Sequence, residues 1–155
     1  MNNKKMIPLD YVNGLMYELE KAFWDERGRG ARFRMTTVGQ AYYQDRVRPL
    51  LQSPELEHIL NTVQDVLLKE GITANVSYEQ DGRLLRVSVD QCIHLQVEER
   101  MTARGIEPFT CVPANLIVLA IEEKLDRPVE LAEIKTEKNT CHLLLVLFDQ
   151  RPTLD

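Results

Sequence analysis

The hydrophobic pattern of this chain changes its period at Gly71, and this change is what most limits the possible folds. Before Gly71, apolar residues recur every three or four positions, which is the spacing of helices with one buried face. After it, apolar and polar residues alternate on both sides of Asp81-Gly82, and an Asp-Gly pair is typical of a tight hairpin turn. The pattern therefore predicts helices followed by an antiparallel sheet.

Three helices are predicted in the first half of the chain. The first spans residues 9–28 and ends at a pair of glycines, which tolerate the positive φ of a helix C-terminus. Its expected inward residues are Leu9, Val12, Met16, Leu19 and Phe23. The second spans residues 37–47 and is closed by Pro49. The third spans residues 54–70 and has a proline in its first turn, where proline is favoured.

The sequence of the second half of the chain predicts two hairpins with a core helix between them. Its expected elements are strands 74–78 and 85–95, an irregular loop 96–108, a helix 111–125, and strands 129–135 and 142–148. Helices followed by hairpins give an α+β fold, with an antiparallel sheet and helices packed on one face. We expect a single domain over residues 1–155, because a chain of this length can bury a core without disulfides.

The composition disfavours several classes of partner. The formal net charge is −5, whereas nucleic acids and anionic membranes attract a positive field. One early segment combines aromatic residues with arginines, which can stack on and neutralise a nucleic acid. Its arginines are Arg27, Arg29, Arg32, Arg34, Arg46 and Arg48. Because the rest of the chain is acidic, we interpret this segment as a solvated face and do not expect nucleic acid as a partner.

A cytoplasmic location is expected from the same sequence. No apolar run is long enough to cross a bilayer, and the first residues are not followed by the apolar core of a signal peptide. In the cytoplasm the three cysteines are expected to be reduced, since an odd number of widely spaced thiols does not form a disulfide framework. We therefore expect no membrane partner and no disulfide.

Three residues of the last third are the candidate metal ligands. Cys111 opens the predicted core helix, where unpaired backbone N–H groups and the helix dipole favour the thiolate that zinc binds. Glu133 and Cys141 flank the last hairpin and can both point toward its open end. The alternative is that both cysteines are small buried hydrophobic residues and that Glu133 is a paired acid. Further candidate ligands are Cys92, His94 and His142.

Four aromatic residues near the junction of the first two predicted helices are the candidate ligand-binding residues: Phe23, Trp24, Tyr42 and Tyr43. Aromatic side chains at a helix junction can line an apolar cavity, which is the usual form of a small-molecule site. They can equally belong to a packed core. The sequence leaves both interpretations open.

Several short motifs together resemble the vinyl-four-reductase (four-vinyl reductase) domain family, also called the prokaryotic hydrocarbon-binding family. The motifs are residues 27–31, 38–42, 89–92 and 109–111, together with Glu133 and Cys141. The resemblance implies an α+β domain, similar in fold to subunits of the TRAPP vesicle-tethering complexes and commonly homodimeric. Members of the family include a bacteriochlorophyll-biosynthesis protein and the sensory domains of aromatic-responsive transcription regulators.

The resemblance also implies a metal site. Sensory members of the family hold a structural zinc through a cysteine at the start of the core helix, a glutamate of the next strand and two further cysteines. The corresponding positions here are Cys111, Glu133, Thr136 and Cys141. With threonine at one of them, the resemblance implies a degenerate site in which Cys111, Glu133 and Cys141 remain as zinc ligands.

Three hypotheses for function follow from the sequence. The first is a small apolar-ligand-binding or sensory module, homodimeric and with a degenerate zinc site, whose ligand is hydrophobic or aromatic. The second is a cysteine-based enzyme or redox protein that uses Cys111, although no general base is identifiable beside this thiol. The third is a dimerising scaffold subunit without a ligand. The resemblance favours the first hypothesis and a role other than catalysis.

Overall fold

The fold combines helices with one small sheet. Within residues 6–33 and 35–149, the part of the chain that the computed structural model describes, there are five α-helices and four β-strands. They are α1 (Leu9–Arg27), α2 (Gln40–Tyr42), α3 (Leu56–Lys69), β1 (Asn75–Asp81), β2 (Leu84–Asp90), α4 (Leu95–Ala103), α5 (Val112–Leu125), β3 (Val129–Glu137) and β4 (Thr140–Leu147). Short 3₁₀ turns join α1 to α2, and α2 continues into a π-helical turn at Tyr43–Val47.

The four strands form one antiparallel sheet in the order β1-β2-β4-β3. Two hairpins therefore lie side by side and are joined through β2 and β4. Gly82 has φ 60° in the first hairpin turn, and Lys138 and Asn139 have φ 44° and 66° in the second. This is the left-handed geometry that tight hairpin turns require. The predicted α+β fold and its antiparallel sheet are confirmed.

The main core lies between the sheet and two helices, α3 and α5. The inward residues of the two central strands are at most 3% exposed: Leu85, Val87, Val89, Cys141, Leu143 and Leu145. Their neighbours Arg86 and His142 face solvent, because side chains alternate between the two faces of a strand. Helix α5 is apolar nearly all round, so it packs against the sheet and against α3 at once.

A second cluster of apolar residues lies between α1 and α4. It contains Tyr17, Ala31, Val97, Met101, Ile106 and Phe109, with Met16, Phe23 and Trp24 packed against it. The prediction of an irregular loop over residues 96–108 is wrong for its first part. Val97 and Met101 are four residues apart and both buried, which places them on one face of a helix. This short helix is the element against which α1 packs.

The predicted inward face of α1 is wrong. The structure buries Asn13, Tyr17 and Glu20, whereas Leu19 is 72% exposed and Leu9 is 43% exposed. The reason is that α1 packs mainly against α4, and the turn before α4 offers hydrogen-bond partners to a polar side chain of α1. The apolar stripe of the helix consequently faces outward or lines a pocket.

Strand β2 is shorter than predicted, which changes the position of the residues after it. The strand ends at Asp90 rather than at residue 95, because Gln91 has φ 51° and turns the chain out of the sheet. Residues 92–95 then form a turn, in which the Leu95 N–H donates a hydrogen bond of 3.0 Å to the carbonyl three residues earlier. This turn places His94 against Asn13 of α1, while Cys92 packs beside the main core.

The other two predicted helices have different outcomes. The helix predicted over residues 37–47 is α-helical only at α2 and becomes a π-helical turn after it. The helix predicted over residues 54–70 is confirmed as α3, but it begins at Leu56, so Pro54 precedes the helix instead of lying in its first turn. His58 of α3 is half-buried, and its Nε2 accepts a hydrogen bond of 3.1 Å from the Gln52 N–H.

Candidate functional site

An apolar pocket of about 330 Å³ lies between α1 and the start of α5. Its apolar walls are formed by Met16, Leu19, Phe23, Val38, Val112 and Pro113. Leu19 and Val38 are 72% and 37% exposed, so the pocket opens to solvent at their side. Small-molecule sites have volumes of about 300–1,000 Å³ and mostly apolar walls with a few polar groups. The size and lining of this pocket fit a small ligand.

Polar side chains form another side of the same pocket: Glu20, His94, Glu98, Thr110 and Cys111. Glu20 of α1 and Glu98 of α4 are only 6% and 5% exposed. Among the described residues, no ion pair includes either carboxyl. A buried carboxyl without a cationic partner is unusual, because its ionised form loses solvation without compensation. Two such groups beside one pocket mark a candidate functional site.

Burial controls the protonation of both carboxyls. Loss of solvation raises the pKa of Glu20 from 4.5 to about 8. It raises the pKa of Glu98 well above the usual range, and repulsion from the Cys141 and Glu20 side chains adds to this effect. Both carboxyls are therefore mostly neutral near neutral pH. Each holds a proton that a bound cation would displace.

Asn13 fixes the position of His94 beside the pocket. Asn13 is 2% exposed; its Nδ2 donates a hydrogen bond of 2.8 Å to the Ile93 carbonyl, and its Oδ1 lies 2.9 Å from His94 Nδ1. Because the amide oxygen can only accept, His94 Nδ1 carries the hydrogen and Nε2 is left as an acceptor. Burial lowers the pKa of His94, which favours the neutral ring.

Asn115 holds the opposite wall in place. This residue is fully buried, and its Nδ2 donates hydrogen bonds of 2.9 Å to the Val38 carbonyl and to Thr110 Oγ1. These bonds tie the segment before α2 to the first turn of α5. The residue after Val38 is Gly39, whose φ of 99° is rare for residues with a Cβ. A Cβ there would also lie 3.5 Å from Val112, so glycine suits this wall.

The three cysteines lie close to the polar side of the pocket. Cys111 occupies the N-cap position of α5, and its thiol is hydrogen-bonded to Cys141 of β4. The Cys92 sulfur accepts a hydrogen bond of 3.5 Å from the His94 N–H, and it is near enough to Cys141 and Glu98 to interact electrostatically. All three are free thiols. The structure thus adds Cys92 to the predicted pair of Cys111 and Cys141.

This arrangement does not activate Cys111. Its hydrogen bond with Cys141 and its burial raise the pKa of Cys111 well above the usual range. The expectation of a thiolate at the helix start is therefore wrong, because these effects outweigh the helix dipole. Burial also raises the pKa of Cys92 to about 12. In contrast, the pKa of Cys141 is lowered, because its sulfur accepts the Cys111 S–H.

The structure places Glu133 apart from the two cysteines. Glu133 pairs with Leu144 across the β3–β4 ladder, whereas Thr136 pairs with Cys141. Because strand side chains alternate, Glu133 lies on the outer face of the sheet, where it is 49% exposed and 3.5 Å from Lys135 Nζ. Among the described residues, no group of three or more His, Cys, Asp or Glu side chains is arranged to hold a metal ion. These residues do not fit the zinc site that the resemblance implies.

The four predicted ligand-binding aromatic residues lie at three different places. Phe23 lines the pocket. Trp24 stacks on Phe109 with ring centres 5.9 Å apart and lines a separate cleft against β3. Tyr43 is 2% exposed in the main core, where its hydroxyl donates a hydrogen bond of 2.6 Å to a glutamate of α5, and Tyr42 packs beside that core. Of the four, Phe23 therefore reaches the pocket.

Cys111 and His94 were named as candidates from the sequence, whereas Asn13, Glu20 and Glu98 were missed, although a signal for two of these three exists. Asn13, Tyr17 and Glu20 recur at helical spacing along the first helix. They define a second face, which is polar and for that reason is normally interpreted as solvent-exposed. Glu98 lay in the segment predicted as a loop, so no pattern marked it. Their burial follows from contacts between α1 and α4 that are distant in sequence.

Two arginines of the arginine-rich segment pair with glutamates of other parts of the chain. Arg48 Nε lies 2.9 Å from the Glu123 carboxylate, and Arg46 lies 3.5 Å from the Glu70 carboxylate. Arg34 lies outside the described residues. Ion pairs of this kind are typical of a solvated protein surface.

Comparison with known proteins adds no relative. The chain matches no family model, and a search of curated proteins finds no significant match. The resemblance to the vinyl-four-reductase family therefore stays a prediction. No helix in the described part of the chain has the length and apolar character needed to cross a membrane. Function is consequently inferred from the pocket and its polar residues.

Proposed function

We propose that this chain is a small-molecule-binding module whose pocket between α1 and α5 takes a small hydrophobic or aromatic ligand. One observation carries the proposal, namely an apolar pocket of about 330 Å³ with buried polar groups on one side. Phe23 supplies an aromatic surface, and the aliphatic walls would remove apolar ligand atoms from water. This is also the function that the vinyl-four-reductase resemblance implies, and it does not depend on the degenerate zinc site.

The state of the Cys111 thiol, which lines the pocket, supports binding rather than catalysis. A cysteine nucleophile needs thiolate character at neutral pH and a base that takes its proton. Cys111 lines the pocket, but burial and the hydrogen bond with Cys141 raise its pKa. A cysteine-based enzyme or redox protein is therefore not the function that we propose.

We further propose that the module works in the cytoplasm as a homodimer. Its three free thiols suit a reducing compartment. Two apolar residues four positions apart on the outward side of α1 suit a contact between two copies: Tyr11 and Leu15 are 63% and 44% exposed. In a two-fold contact this stripe meets the same stripe of the second copy. A dimerising scaffold without a ligand is the second candidate function, and it is supported by this stripe.

Thermal denaturation with phenethyl alcohol tests the pocket. A ligand selective for the folded state at about 100 times its Kd raises the free energy of unfolding by about 2.7 kcal/mol. For a chain of this size that is a rise in Tm of roughly 5–10 °C. Met16→Trp would fill the pocket and should abolish the rise, whereas Glu18→Trp, at an exposed position of the same helix, should keep it. The proposal fails if neither phenethyl alcohol nor any other small aromatic probe raises the wild-type Tm, or if Met16→Trp responds like the wild type.

Light scattering on the purified protein, together with the thermal assay, separates the binding module from the scaffold without a ligand. Leu15→Glu places a charge in the outward stripe of α1 and should convert a dimer into a monomer, while Glu18→Gln, an exposed change on the same helix, should leave it dimeric. A dimer that binds no aromatic probe supports the scaffold. A wild-type monomer excludes the homodimer and leaves the binding module untouched.

A further inference from the structure

Glu20 and Glu98 form an acidic corner of the pocket that no described residue neutralises. Both line the pocket, and the two carboxyls are near enough to repel each other. Among the described residues, neither takes part in an ion pair. The Glu98 carboxyl receives a hydrogen bond from its own backbone N–H. Burial of an ionised carboxyl without a counter-charge is costly, so both carboxyls are expected to stay protonated until a cation from outside the described residues pairs with them.

The cations that neighbour the acidic corner in sequence have other partners. Lys21, next to Glu20, lies 2.7 Å from the Asp25 carboxylate on the exposed side of α1. The Arg100 guanidinium of α4 lies over the Tyr17 ring, 4.0 Å from its centre. The thiol of Cys111 and the neutral ring of His94 are the other titratable groups that line this side of the pocket. The polar side of the pocket therefore offers hydrogen-bond acceptors and the thiol of Cys111.

The number of hydrogen-bond acceptors on this side of the pocket matches the number of donors of a primary ammonium group. A primary ammonium group has three N–H donors and no acceptor. The two carboxyls of the acidic corner and His94 Nε2, whose ring is oriented by Asn13, supply three acceptors from residues that line the same pocket. Charge-assisted hydrogen bonds of this kind are short and strong, and more so away from water. The apolar walls next to the corner would receive the rest of such a molecule.

We propose that the ligand of this pocket is a primary amine with an apolar body, whose ammonium group is held by Glu20, Glu98 and His94. The inference rests on the proposed function and deepens it by naming the chemical class of the ligand. Binding of the cation ionises the carboxyls, and each proton that leaves them passes to the solvent. A ligand that ends in a carboxylate would not ionise the two acids, so its binding should release no proton.

Isothermal titration calorimetry with three matched probes tests the inference. Phenethylamine, phenethyl alcohol and hydrocinnamate share a phenyl ring on a short chain and end in a cation, a neutral hydroxyl and an anion. We expect phenethylamine to bind roughly tenfold or more tightly than phenethyl alcohol, because its hydrogen bonds are charge-assisted. Binding of the amine should also release protons. Proton release is measured as a difference in heat between buffers of unlike ionisation enthalpy, and phenethyl alcohol should show none.

A double variant and a matched control assign the effect to the acidic corner. Glu20→Gln with Glu98→Gln keeps the shape of the protonated carboxyls and removes their charge, so the preference for the amine should fall below about twofold. Glu18→Gln with Glu99→Gln changes two exposed glutamates of the same helices and should keep the full preference. The proton release of the wild type tests the inference independently if the double variant does not fold.

The outcomes separate the two proposals. If phenethyl alcohol binds the wild type as tightly as phenethylamine, or if the amine releases no proton, the amine inference is overturned while the binding module stands. The same holds if the double variant keeps the preference for the amine. If none of the three probes binds the wild type, the proposed function itself fails, and the amine inference fails with it.

Discussion

Replacing Glu20 by glutamine should flatten the dependence of stability on pH. Burial raises the pKa of Glu20 from 4.5 to about 8 in the folded protein. Within this window the folded state holds a proton that the unfolded state has released, so the free energy of unfolding falls by about 1.4 kcal/mol for each pH unit. Between about pH 5 and pH 7, the ionisation of Glu20 therefore lowers the free energy of unfolding by about 2–3 kcal/mol, which corresponds to a fall in Tm of roughly 5–10 °C. Glutamine does not titrate and mimics the protonated carboxyl, so the variant should lack this loss.

Urea denaturation followed by circular dichroism measures this difference. The wild type, Glu20→Gln and the exposed control Glu18→Gln are compared at both ends of the window. The lowered pKa of His94 has the opposite sign: its contribution is complete above the unfolded-state pKa near 6.5 and is lost as pH falls. It is common to all three proteins and cancels in the comparison. Parallel pH profiles for the wild type and Glu20→Gln would refute the assignment of Glu20 as a buried carboxyl without a counter-charge.

Three further changes test the contacts around the site. Asn13→Ala removes both hydrogen bonds of a buried amide, so we expect a loss of about 2–3 kcal/mol in urea denaturation; an unchanged stability would contradict its role in fixing His94. Tyr43→Phe should cost about 1 kcal/mol in the same assay, because Glu123 keeps its ion pair with Arg48, and a loss several times larger would show that the cluster acts as a unit. Labelling of Cys111 with a thiol reagent at neutral pH should be slow in the folded protein and fast in denaturant; rapid labelling of the folded protein would favour the cysteine-based alternative.

The parts of the fold that could be predicted depend on local patterns. Helix α3 has a strongly one-sided pattern and is bounded by Pro54 and Gly71, and both hairpins alternate around turn residues. Cys111 was placed correctly at the start of α5 because a proline follows in the first turn. In each case, one stretch of sequence contains the whole signal.

The predictions that were wrong concern features that depend on contacts between segments distant in sequence. The polar face of α1 is buried because Asn13 reaches His94, which is 81 residues away. No periodicity in α1 predicts a partner that lies after the first hairpin. The prediction that β2 continues past Asp90 failed for a similar reason, since Gln91 adopts positive φ in a segment whose alternation is unbroken. Glu98 could not be assigned to the pocket without knowing that α4 packs against α1.

The separation of Glu133 from the cysteines shows the limit of spacing arguments on strands. The expectation was that Glu133 and Cys141 point to the same end of the last hairpin. The observed register pairs Cys141 with Thr136 instead, and an offset of three residues places Glu133 on the other face. The pairing register of two strands is not contained in the sequence of either strand alone.

The central claim is that the pocket between α1 and α5 binds a small aromatic ligand, and chemical-shift mapping by nuclear magnetic resonance tests it most directly. Titration with phenethylamine should give saturable shifts that are largest at the pocket residues Leu19, Val38 and Val112. Shifts that do not saturate, or that are largest at Trp24 and Phe109 in the separate cleft against β3, would contradict the account.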